Sequence, residues 1–263
     1  MSKIISTLLI LVCLCVFSTC GKLADKAVQN SSNVQPTIAV NVNNEVKVEK
    51  TPKFPNLQAE LLDKKNSTSD TPIGKFDFKN YTYPLPRGWQ DIDSKDVTLE
   101  NGSRRMSEKQ IGMAYVATKF GDVTGDGQPE AFVILKIVTA GAAIPQAVYV
   151  FSWKNDAPEL IWTFRTGDRT DGGLKNVYAE NGEVGIELYG QDRFILGEVE
   201  TSKITGDEEQ LCCPESFTRT RYKWNGRNFL MQGKRETRSV SDPNAPAIEN
   251  KGDLVNEQNK RRK

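Results

Sequence analysis

The chain of 263 residues contains no histidine. That absence excludes Ser-His-Asp and Cys-His catalytic arrangements, HExxH zinc sites and any imidazole proton shuttle. Cysteine is scarce: there are five, and Cys13, Cys15 and Cys20 lie at the extreme N-terminus. Removal of a leader there leaves too few thiols for a four-cysteine zinc ribbon. An excess of one charge is also lacking. Lysine and arginine number 35 against 34 aspartate and glutamate, for a net charge of +1. A dedicated nucleic-acid binder would show a strong basic excess, so no nucleic-acid partner is expected. Past residue 20 the sequence has no apolar run of the length that crosses a bilayer.

The N-terminus holds the one long apolar run. Lys3 precedes Ile4 to Phe17, which carries no charge. The run is shorter than the ~20 residues a helix needs to cross ~30 Å of hydrocarbon. Its position suits the apolar region of a signal peptide, so residues 1–20 are read as a leader and the rest as exported. Phe17-Ser18-Thr19-Cys20-Gly21 resembles the lipobox of bacterial lipoproteins, in which a cysteine after small residues receives a lipid and becomes the mature N-terminus. The family favours Leu three before the cysteine and Gly or Ala just before it, where Phe17 and Thr19 stand here. The resemblance implies a membrane partner through a lipid on Cys20 and a place in the bacterial cell envelope. Ordinary secretion is the alternative.

Residues 21–75 read as a flexible tether. They are rich in Asn, Ser, Thr and Lys and poor in aromatics, so burial cannot offset the entropy of ordering them. Within them, Thr37 to Val48 alternates weakly, and Asn56 to Lys65 could form a short helix presenting Leu57, Leu61 and Leu62. Residues 233–263 are polar, end in Lys260-Arg261-Arg262-Lys263 and read as a disordered charged tail. That leaves 76–232 as the globular domain.

The domain is expected to be mainly β: an antiparallel meander of hairpins, one sheet-rich domain built as a sandwich or a partly closed barrel. Val148 to Trp153 and Leu160 to Phe164 flank the turn-forming Lys154-Asn155-Asp156-Ala157-Pro158. Asn181-Gly182 between Val177-Tyr178-Ala179 and Val184 to Leu188 supplies the positive φ of a type I′ turn. Asn225-Gly226 and Asn101-Gly102 repeat the device. One short helix is expected over Arg104 to Gly112. A period of 40–50 residues is lacking, so a full propeller is not expected.

The clearest chemistry lies in Phe120-Gly121-Asp122-Val123-Thr124-Gly125-Asp126-Gly127-Gln128-Pro129-Glu130. Oxygen donors fall at alternate positions: Asp122, Thr124, Asp126, the Gln128 carbonyl and Glu130. Hard Ca²⁺ takes six to eight oxygens at ~2.3–2.6 Å, and a tight loop with alternate inward oxygens provides them. Gly127 is sixth, where such a loop turns sharply. The segment resembles the calcium loop of FG-GAP and VCBS repeats, with their Phe-Gly lead-in, D-x-[NT]-x-D-G core and acidic ninth position before an apolar strand. The same spacing opens an EF-hand loop, but Val133 stands where the EF-hand has its bidentate Glu, and the flanks, Ala114 to Lys119 and Ala131 to Val138, read as strands. Ca²⁺ is therefore the expected cofactor, in a stitching role. A single copy over a short stretch transfers neither a propeller nor an adhesion activity. More broadly the core is similar to uncharacterised exported bacterial proteins.

Three weaker groups complete the list. Asp168, Arg169 and Asp171 beside Gly172-Gly173 form a candidate ligand loop, read as turn formers, as carboxylates that complete a metal shell, or as an acid/base pair. Cys212-Cys213 can form a vicinal disulfide before Pro214, which an oxidising compartment favours. Arg219, Arg221 and Lys223 alternate and share a strand face opposite Thr218, Thr220, Tyr222 and Trp224. Together these features describe a non-catalytic, envelope-anchored β-domain with a Ca²⁺ loop and a binding or structural role. The alternative is a histidine-free hydrolase using paired carboxylates, which glycoside hydrolysis allows.

Overall fold

The computed structural model describes residues 60–88, 94–138, 145–168, 172–200, 214–248 and 250. These all fall within one unit, Pro52–Lys263; the other, Met1–Thr51, lies outside the described residues. A 3-10 turn, Pro72–Lys75, precedes thirteen strands. They are β1 (Thr82–Pro84), β2 (Asp96–Thr98), β3 (Ser103–Arg104), β4 (Gly112–Gly121), β5 (Glu130–Val138), β6 (Gln146–Lys154), β7 (Ala157–Arg165), β8 (Leu174–Glu180), β9 (Glu183–Tyr189), β10 (Ile195–Leu196), β11 (Val199–Glu200), β12 (Ser216–Trp224) and β13 (Phe229–Ser239). There is no α-helix among the described residues.

Three sheets result. β1 pairs with β2; seven strands follow in the order β10-β11-β7-β6-β5-β4-β3; four form β13-β12-β9-β8. The sequence order of β3 to β7 is also their spatial order, as hairpin connections produce, and every pair is antiparallel except β11 beside β7. The expected meander of hairpins is therefore present, and the sheets stack in layers without closing into a barrel.

Alternation decides the layering. In β5, Phe132 and Ile134 face the four-stranded sheet, where Val177, Val184, Ile186, Leu188 and Tyr222 meet them. Ala131, Val133, Leu135 and Ile137 face the other way, onto Ile73, Phe78, Tyr83, Val97 and Leu99. β6 divides likewise, with Val148 and Val150 on one side and Ala147, Tyr149 and Phe151 on the other. A sheet covered on both faces reads as a continuous apolar run, as β5 and β6 do. The outer aromatic layer is tied by its hydroxyls: Tyr83 donates to the Phe78 carbonyl and Tyr149 to the Pro84 carbonyl at 2.7 Å. Gly121 marks a close approach between layers, because a Cβ there would stand 2.3 Å from the Cβ of Ala179.

Turn chemistry follows the sequence at Asn181-Gly182 and Asn101-Gly102 but not at Asn225-Gly226, where only Gly226 (φ 91°) takes positive φ and Asn225 Oδ1 instead accepts the N–H groups of Arg227 and Asn228. Asn181 (φ 53°) and Gly182 (φ 73°) connect β8 to β9, and Asn155 (φ 51°) and Asp156 (φ 61°) connect β6 to β7. Two successive positive φ values match a type I′ hairpin.

Several boundaries differ from the reading of the sequence. The stretch expected as a helix, Arg104 to Gly112, is instead the end of β3, a Ser107–Gln110 bridge and the start of β4. Its one large apolar side chain before Ile111, Met106, is 43% exposed, so a helix there would have had no face to bury. Residues 60–75, assigned to the tether, belong to the folded body: Leu61 and Ile73 are buried in the two cores. Leu61 sits in a turn, while Leu62 is exposed. Residues 56–59 lie outside the described residues. Residues 233–239, expected to belong to the tail, are instead the second half of β13, which runs to Ser239; residues 251–263 lie outside the described residues.

A polar lock explains that last extension. Thr237 Oγ1 donates to Asn250 Oδ1 at 2.6 Å, and Asn250 Nδ2 donates to the Arg235 carbonyl at 2.8 Å. Arg235 pairs with Asp192 at 2.7 Å, and both are buried. A chain stopped after Gln232 loses Gly233 to Ser239 of β13 together with all of these contacts, the buried Arg235–Asp192 pair among them, and breaking such a pair typically costs about 3–5 kcal/mol. We predict that it melts far below a chain stopped after Asn250, read by circular dichroism; equal melting temperatures would contradict the lock.

Candidate functional site

The Asp122–Glu130 segment closes the β4–β5 hairpin, with Gly121 paired to Glu130 across its base. Both flanks are strands, as the comparison with the EF-hand required. The loop is folded by its own acids. Asp122 Oδ1 accepts the Gly125 N–H at 2.7 Å, and Oδ2 accepts the Gly127 N–H at 3.0 Å. Asp126 Oδ1 accepts from the Gln128 N–H at 2.8 Å. Gly125 (φ 79°) and Gly127 (φ 81°) take left-handed conformations that side chains resist.

Glu130 is fully buried, at 0% exposure. Its Oε2 accepts the N–H groups of Val123 at 2.9 Å and Thr124 at 3.2 Å, and its Oε1 accepts the Thr124 hydroxyl at 3.1 Å. Burial pushes its carboxyl above the usual range. The Val123 and Thr124 donors pull it back in part, and the charge of Asp126 adds to the rise. Among the described residues no three His, Cys, Asp or Glu side chains stand close enough to share a metal. The donor set of Asp122, Thr124, Asp126, Gln128 and Glu130 is nonetheless all hard oxygen. It sits on a turn of the kind that calcium loops use, so the residues fit such an ion in chemistry.

The other candidates are distributed differently. Asp168 is half-buried and bridges to Gly172 beyond the end of β7. Arg169 and Asp171 lie outside the described residues, as do Cys20, Cys212 and Cys213. The basic stripe lies on β12, where burial alternates as expected: Thr218, Thr220 and Tyr222 are buried, and Arg221 and Lys223 are exposed. Arg219 is not free, since its Nη2 stands 2.7 Å from Glu187 Oε1.

Glu187 leads to a cluster that reading the sequence misses. Its side chain, 4% exposed, lies between Arg219 and Lys175, whose Nζ is 2.8 Å away. Lys119, on β4, is buried beside them. A single lysine or glutamate in a strand gives no sign of inward orientation; the one available signal is Lys119 and Lys175 falling within otherwise apolar alternation. The cluster brings together β4, β8, β9 and β12, which no local pattern announces. The chain matches no family model, no curated protein and no solved structure.

Glu130 supplies a pH test. Its carboxyl holds a proton to higher pH in the folded chain than in the unfolded one. Between those two pKa values the folded state binds more protons, so this group's contribution to stability falls as pH rises. We predict that wild type loses stability relative to Glu130→Gln as pH rises from about 4.3, the ordinary glutamate value. Denaturant titrations of both proteins across that window check it, and parallel pH profiles would contradict it.

Proposed function

We propose that the protein is a non-catalytic β-domain, anchored in a bacterial cell envelope by a lipid on Cys20, whose Asp122–Glu130 loop takes Ca²⁺. Its role is binding or structural rather than chemical. The observation that supports the metal reading is the turn itself: Asp122 gathers the N–H groups of Gly125 and Gly127 into a tight loop whose sequence carries oxygen donors at alternate positions. Water would complete the six to eight oxygens that Ca²⁺ prefers. The ion would offset the charge of Asp126, which adds to the upward shift that burial gives the Glu130 carboxyl. Because the loop joins β4 to β5, an ion there would tie those two strands together at one end.

The anchor rests on the N-terminal run ending in Cys20. Among the described residues no helix is long and apolar enough to cross a membrane.

At a free Ca²⁺ concentration 100-fold above Kd, binding would stabilise the folded state by about 2.7 kcal/mol. For a domain of this size that raises the melting temperature by about 5–10 °C. The rise should vanish with EGTA and in Asp122→Asn. No shift of the full chain at millimolar Ca²⁺ would end this reading. The anchor has its own check: metabolic labelling with a fatty acid should mark wild type in a bacterial host and spare Cys20→Ala. Equal labelling of the two would remove Cys20 as the attachment point.

A further inference from the structure

The cleft that holds Lys119, Lys175 and Arg219 is a second site, independent of the calcium loop. We propose that it binds a small dicarboxylate, and that Glu60, carried by the chain's own incoming segment, occupies it as a built-in competitor.

The cleft has a volume of about 550 Å³ and opens between β4, β8, β9 and β12, with the segment 60–66 across it. On the strands, four cations line it (Lys119, Lys175, Arg219 and Arg221) against two carboxylates, Glu180 and Glu187. Glu187 is used twice, by Lys175 and by Arg219. Glu180 is a weak partner, 3.8 Å from Arg221 with both side chains 53% exposed. The strand walls therefore carry two positive charges in excess.

Lys119 shows the imbalance most directly. It is 6% exposed, and the acceptors of its ammonium are neutral: the Glu60 carbonyl and Asn176 Oδ1 at 3.0 Å. Burial pushes its pKa down, and the charges of Asp63, Glu60 and Glu187 nearby offset that only in part. Lys175 is held in place by a ring, its Nζ 4.2 Å from the centre of Phe217. Its free side is met by the carboxylate of Glu60 at 2.8 Å, and that side chain remains 47% exposed. A carboxylate thus already sits where the excess charge calls for one, on a residue that solvent can reach. Asp63 and Lys65 of the same segment also line the cleft, so the segment brings two carboxylates and one further cation to the two surplus cations of the strands. A free dicarboxylate of similar reach offers the same two groups without the tether.

The experiment is calorimetric titration of the full chain with glutarate, with inorganic phosphate as comparator, at low ionic strength. Saturable glutarate binding is expected, suppressed by salt because the contacts are charged and open to solvent. Glu60→Gln removes the competitor from a half-exposed ion pair and should tighten glutarate about two- to fivefold. Arg221→Gln, at an exposed position that tolerates change, should weaken it by a similar factor. Melting curves confirm that both variants fold. No saturable glutarate binding in wild type or Glu60→Gln overturns the proposal. Affinity unchanged in both variants places any binding elsewhere, and also overturns it. Phosphate binding tighter than glutarate overturns the dicarboxylate assignment.

Discussion

Strands β5 and β6 are covered on both faces, and every other layer is arranged around that burial. Side chains of alternating direction leave the same two strands for two separate cores: Phe132, Ile134, Val148 and Val150 into one, Val133, Leu135, Tyr149 and Phe151 into the other. Each fully buried side chain of this kind contributes roughly 1.5–3 kcal/mol. A shift of register by one residue would exchange the two sets, sending large side chains into the space of small ones on both sides. The four-stranded sheet and the β1–β2 layer are each held to the central sheet by this apolar contact, so neither is expected to persist without it.

The functional features lie where this packing ends. The acid-rich loop sits at the turn into β5, where the strand leaves the core and its first residue, Glu130, is still fully buried. A carboxylate placed there must find donors, and Val123 and Thr124 provide them. The loop's shape is therefore set from below by the demand of a buried acid and from above by Asp122. At the edge where β4 meets β8 and β12, apolar contact gives way to Lys119, Lys175, Glu187 and Arg219. The charges there satisfy one another incompletely, and the incoming segment at Glu60 supplies part of the balance.

Hairpins were legible in the sequence because their signals are local. Asn-Gly pairs require positive φ, and Asn101, Asn181 and the glycines after them take it. The acid-rich loop was legible for the same reason, its spacing being a property of nine consecutive residues. The limits of the folded body were not legible. Leu61 stands alone in a polar stretch, and nothing nearby indicates that two sheets leave a gap for it. Strand β13 is mostly polar, and along it only Arg235 and Thr237 are buried. Such a strand looks like a tail until its partners Asp192, Thr218 and Asn250 are in place. The expected helix over Arg104 to Gly112 failed on the opposite account: Arg104 donates instead to the Ile111 carbonyl across the turn, at 2.8 Å.

The sequence alone determined the class of chemistry and the class of fold. With no histidine, any metal chemistry is directed to oxygen, and alternating apolar strands between turn formers can only build sheets. Tertiary structure decided which faces are buried, how far the body extends and where charges gather. The reason is range: a turn needs two residues to agree, whereas the cleft needs Lys119, Lys175, Glu187 and Arg219 to arrive from four strands. Their nearness is a consequence of how the sheets stack, which no stretch of the chain encodes by itself.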